Sequence, residues 1–111
     1  MKCQHKNLAK GRWNKLCFAS QMANIGSEVI RTINWRQKGN PKYSQLAFFR
    51  ALELLDLTIS DKKNISRLKE LVRLREVLAD YFSFDNIYKS SDQKWQNYFM
   101  AFNFLYWNQK V

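Results

Sequence analysis

Few residues in this chain of 111 have the types and spacing that chemistry needs. The only histidine, His5, has Cys3 beside it, and the second cysteine, Cys17, follows at a separation that matches no zinc pattern. An imidazole so close to the N-terminus leaves the rest of the chain without a His-based acid/base pair or triad. Glu76 and Asp80 stand one helical turn apart and could share a metal, yet no second carboxylate pair matches their spacing. No arginine is followed by a histidine in the pattern of helical ribonucleases of the HEPN type, and no Gly-rich phosphate loop is present. These residues predict a non-enzymatic protein with no metal and no cofactor.

What remains is cations and aromatics. The formal charge of +10 is uneven: residues 1–50 hold ten basic residues against one acid, Glu28, whereas 51–111 hold nine against eight. A basic half favours an anionic partner, of which nucleic acid is the foremost class. On a helix, Arg31, Trp35 and Lys38 share a face with Asn24 nearby, and Arg36, Lys42 and the N-terminal Lys6, Lys10 and Arg12 extend the patch. Lysine and arginine hold phosphates, and an exposed indole stacks on a base or sugar. The alternative for Trp35 is structural, tucked against residues 41–43 as a cap. Two cysteines without a disulfide framework fit reduced thiols in the cytoplasm. No apolar run is long enough for a membrane span or a secretory signal.

The elements that would position these residues are helical. Three Gly and one Pro are too few for a turn-rich β fold. Residues 1–11 read as a flexible basic arm and 12–111 as a single helical domain. A helix over 13–38 carries Leu16, Ala19, Ala23, Gly26, Ile30 and Ile33 as a seam whose small members allow a close neighbour. Gly39 ends it, and Asn40-Pro41 supplies the N-cap and first position of the next helix, to about 59. That second helix is apolar around most of its circumference and reads as central. A polar turn at 60–63 leads to a third helix over 65–82, with Ile65, Leu68, Leu71, Val72, Leu78, Ala79 and Phe82 on one arc. After a connection at 83–91, Ser90 with Gln93 forms a capping box for a fourth helix over 92–109. Short connections between four helices predict an all-α, up-down-up-down four-helix bundle with a basic N-terminal arm.

Two features depart from a plain bundle. In the fourth helix Trp95, Tyr98, Phe99, Phe102, Leu105 and Tyr106 supply the core, while Met100, Phe104 and Trp107 project from the other side. Exposed aromatics in a cluster mark an interface, and self-association is the expected use. The alternatives are that the 83–91 connection or the arm covers them. Arg75 falls within the apolar arc of the third helix, which predicts an ion pair with Glu53 or Asp56 or, alternatively, a groove-facing phosphate grip.

In length, charge and helix number the chain resembles the small bacterial four-helix-bundle proteins of ribosomal RNA intervening sequences. It is also similar to their relatives, the accessory variability determinants of diversity-generating retroelements. Met22-Ala23-Asn24-Ile25-Gly26-Ser27-Glu28 is a reordered echo of the Ser-x-x-x-Asn-Ile-Ala-Glu-Gly segment of the first group, so no residue roles carry over. The resemblance implies a homo-oligomeric accessory factor that binds RNA or DNA and assists a larger enzyme. Its counterpart is a protein-interaction adaptor or antitoxin-like partner that uses the aromatic face of the last helix.

Overall fold

The computed structural model describes residues 11–109, with the backbone alone for 105–109. It contains four helices and, among the described residues, no strand. They are α1 (Phe18–Gln37), α2 (Pro41–Ser60), α3 (Leu68–Ser83) and α4 (Asp92–Gln109). Two 3-10 turns complete the framework, Trp13–Lys15 before α1 and Lys62–Arg67 between α2 and α3. No helix among the described residues is long and apolar enough to cross a membrane.

α1 begins later than the hydrophobic spacing predicts. Leu16 is extended after the first 3-10 turn, and Cys17 caps the helix by accepting the Ser20 amide on Sγ at 3.4 Å. Trp13 is buried with its indole turned to α2, a placement incompatible with one unbroken helix from 13. The other end follows the sequence. Gly39 takes φ +76, a conformation that β-carbons disfavour, and Asn40 accepts the Tyr43 amide on Oδ1 at 3.0 Å to cap α2.

The central helix is α1, not α2. It packs against both α2 and α4, and α3 docks on α2. α1 buries ten residues to the seven of α2, whose Tyr43, Leu46 and Phe49 stay exposed. The small-residue seam makes this possible: a β-carbon on Gly26 would lie 2.7 Å from Cβ of Phe99 on α4. The core beneath is Met22, Ile25, Val29 and Ile33 against Phe48, Leu54 and Leu55, closed by Leu71, Leu74 and Leu78 and by Trp95 and Phe99. Trp95 keeps its indole N–H buried with no hydrogen-bond partner among the described residues.

The apolar arc of the third helix is also redrawn. The 3-10 turn continues to Arg67, and its three residues per turn take Ile65 out of the 3.6-residue period, while within α3 Leu68 and Val72 lie at the edge of the arc, turned away from Leu74 and Leu78. The buried row is Leu71, Leu74 and Leu78, while Ile65, Leu68 and Val72 face solvent. After α3, Asp80 holds the connection by accepting the Ile87 and Tyr88 amides on its two carboxylate oxygens at 3.0 and 3.1 Å. The N-terminus of α4 is capped by Ser91, whose Oγ accepts the Lys94 amide at 3.2 Å, and not by Ser90.

Candidate nucleic-acid interface

The turn between α1 and α2 gathers part of the predicted basic patch. Trp35, half-buried, meets the edge of Tyr43 with ring centroids 4.9 Å apart, and Lys38 Nζ lies 5.2 Å from the Trp35 ring centre. The structural role foreseen for Trp35 and the cationic face therefore coexist: the indole packs against Tyr43, and an ammonium lies over its ring. Lys42 is exposed just beyond Pro41. One turn further down α1, Arg31 donates to Glu28 at 3.1 Å, and Arg50 of α2 approaches the same carboxylate at 4.0 Å. Arg50 belongs to this surface although its position in the sequence gives no sign of it. Glu28 is the only acid of the first fifty residues, and helix packing alone brings Arg50 to it.

Arg36 does not join them. Its guanidinium donates to Asp92 at the start of α4 and, at 3.3 Å, to the Tyr81 hydroxyl, which itself donates to Asp92 at 2.6 Å. Gln37 adds a bond to the same carboxylate at 3.2 Å. Burial alone would push the Asp92 carboxyl up, but Tyr81, Arg36 and Gln37 outweigh it and hold the group below the usual carboxylate range. Tyr81 is pushed up by its burial and by its bond to Asp92. The arrangement ties the end of α1 to the beginning of α4, where a carboxylate also complements the helix dipole. Arg36 is thus a structural residue. Beside it, a cavity of about 260 Å³ opens between Phe48, Phe82, Ser44 and Gln45.

Arg12 is exposed at the far end of α1, before the first 3-10 turn, and so lies apart from Arg31, Trp35 and Lys38. Lys6 and Lys10 lie outside the described residues. The single patch drawn from the sequence is therefore divided between the two ends of α1.

The remaining candidates are placed as follows. Arg75 forms a fork with Asp56 at 2.6 and 3.3 Å, one of the two partners foreseen, although both side chains are substantially exposed. Glu76 accepts from the Tyr88 hydroxyl at 2.6 Å and Asp80 holds the loop, so the two carboxylates are drawn to separate tasks. Met100 and Phe104 are 64% and 67% exposed and form an open groove with Asn97 and Ala101. The 84–91 connection leaves them uncovered and exposes its own Phe84 and Ile87. The Trp107 side chain lies outside the described residues.

Sequence reasoning missed the most deeply buried polar cluster. Gln21, Asp61 and Asn64 are almost fully buried. The Gln21 amide donates to the Trp13 carbonyl at 3.1 Å and to Asp61 at 2.9 Å, and accepts from Asn64 at 2.9 Å. Trp13 Nε1 donates to the Thr58 hydroxyl at 3.0 Å. Burial would push the Asp61 carboxyl up, yet Lys63 and Gln21 hold it below the usual range. A single polar residue at position 21 of a helix gives no hint of such a network, because its partners are about forty positions away.

Comparison with known protein families, curated proteins and solved structures gives no match.

Proposed function

We propose that the four helices form an up-down-up-down bundle with a basic N-terminal arm, and that this protein binds RNA or DNA without catalysing a reaction. The observation that supports this reading most is the α1–α2 turn, where Lys38 and the exposed Lys42 flank the Trp35–Tyr43 pair and Arg31 and Arg50 follow around Glu28 further along the helices. Cations spaced around aromatic rings suit a single strand, since phosphates take the charges and bases take the ring faces. Lys38 would leave the Trp35 face for a phosphate as a base stacks there. The protein acts in the cytoplasm as a homo-oligomeric accessory factor, a role in keeping with its resemblance to other small basic bundles.

Fluorescence anisotropy with single-stranded RNA and DNA over a salt series tests the proposal. Binding weakens steeply with salt, and replacing Arg31, Lys38 and Lys42 by alanine lowers the slope of log K against log salt by about 2, at roughly 0.7 for each phosphate contact. Absent or salt-independent binding overturns it.

A second reading rests on the exposure of Met100 and Phe104. Here the groove of α4 holds another protein chain, either a second copy or the partner of an adaptor or antitoxin-like protein. Light scattering at high concentration gives a dimer or larger species for the native chain and a monomer for a Met100→Lys, Phe104→Lys variant. A strict monomer removes self-association.

A further inference from the structure

The end of the α1–α2 pair opposite the proposed binding turn carries a second cationic surface. There the two 3-10 turns, nearly fifty positions apart in sequence, lie side by side. Asn64 donates to both Gln21 and the Thr58 carbonyl, Gln21 holds the Trp13 carbonyl, and Lys63 Nζ crosses to the Asn14 carbonyl at 3.0 Å. Three of these four bonds, those of Asn64 and Gln21, are buried and hold the backbone beneath this surface.

From it project Arg12, Lys15, Lys62, Lys63 and Arg67, all exposed. Asp61 is the only acid in residues 11–18 and 58–67, and it is buried and bonded to Gln21 and Lys63. Among the described residues, Arg12, Lys15 and Lys62 form no ion pair. The Arg67 guanidinium carbon lies over Phe18, 4.2 Å from its ring centre. A solvated helix face carries both signs, as α3 does with Lys69, Glu70, Arg73 and Glu76. Apart from the buried Asp61, residues 11–18 and 58–67 carry one sign on a rigid base, and such preorganisation suits a polyanion because the backbone needs little ordering on contact.

We infer that the paired 3-10 turns form a second phosphate-contact surface for nucleic acid, separate from the α1–α2 turn. The inference rests on the proposed nucleic-acid function and specifies a second place where the strand is held. The 20 residues of α1 put about 30 Å between the two surfaces. Arg31 and Arg50 lie between them, so a strand long enough to span α1 engages both.

The test uses the full chain and a single-stranded probe of about twenty nucleotides, longer than that span. Arg12→Gln, Lys15→Gln and Lys62→Gln together remove three cations that take no part in the buried network. The triple variant keeps the native melting temperature and lowers the salt slope by about 2. In the native protein, bound probe shields Lys15 and Lys62 from acetylation, a readout that needs no variant. An unchanged slope with unshielded lysines, while the Arg31/Lys38/Lys42 variant binds poorly, overturns this inference and leaves the proposed function standing. Loss in the 3-10 variant with none in the turn variant supports it and displaces the proposed site. A native protein that binds no probe overturns both.

Discussion

Gln21 and Gln37 sit at opposite ends of α1, and each donates its amide to a carboxylate from a distant segment that also holds a cation. Gln21 reaches Asp61, which binds Lys63; Gln37 reaches Asp92, which binds Arg36. The chemistry is alike but the surroundings are not. Gln21 and Asp61 are 0% and 6% exposed, whereas the Asp92 side chain is 26% exposed and Gln37 is exposed; the two cations, Lys63 and Arg36, both reach solvent. In water, an interrupted hydrogen bond is replaced by one to solvent; in the core, it leaves a group unsatisfied. The buried end therefore fixes the chain path, and the open end only fastens two helices.

The largest effect that could break this comparison is at Gln21. Gln21→Ala removes one of the two bonds at the Trp13 carbonyl and at an Asp61 oxygen and leaves one buried Asn64 N–H unpaired, and is expected to cost about 2 kcal/mol in chemical denaturation. Gln37→Ala is expected to cost about 0.5 kcal/mol or less. Equal costs would mean that the two ends are equally wet. Next comes Asp92→Asn, which removes the charge shared by Arg36 and Tyr81. Solvent screening limits its effect to about 1 kcal/mol, read as a small drop in melting temperature.

The subtlest effect is on pH dependence. Asp61 and Asp92 both have carboxyls held below their ordinary range, so the unfolded chain takes up protons before the folded one. Their contribution is fully present above about pH 4 and is lost as pH falls through the lower folded values. Asp61→Asn and Asp92→Asn should each flatten the acid limb of a stability–pH curve, and an unchanged limb in either variant would remove that carboxylate from the comparison.

Local chemistry was legible in advance: the Asn40-Pro41 start of α2, the Gly39 stop and the tight seam at Gly26 follow from residue type and spacing, whereas for Arg75 spacing left Glu53 and Asp56 open and tertiary packing chose Asp56. The Trp13 break and the Lys62–Arg67 turn were not, because a 3-10 segment keeps the same apolar residues and changes only the angle between them. The site divides in the same way. Trp35 and Lys38 share a helix face by periodicity alone, but Arg36 is drawn aside by Asp92, more than fifty positions away, and Arg50 is brought in by Glu28.

By itself, the sequence determined an all-helical chain, its positive first half and the residues that start and stop α2, since these depend on composition and on neighbours a few positions apart. Only the tertiary structure decided how that charge is distributed. Packing α1 between α2 and α4 draws Arg36 to Asp92 and Arg50 to Glu28, and the buried bonds of Gln21 and Asn64 bring the turn of Lys15 to that of Lys62. The physical reason is that a helix's periodicity fixes which residues share a face, whereas the partner of each face is set by burial and hydrogen bonding between segments far apart in the chain.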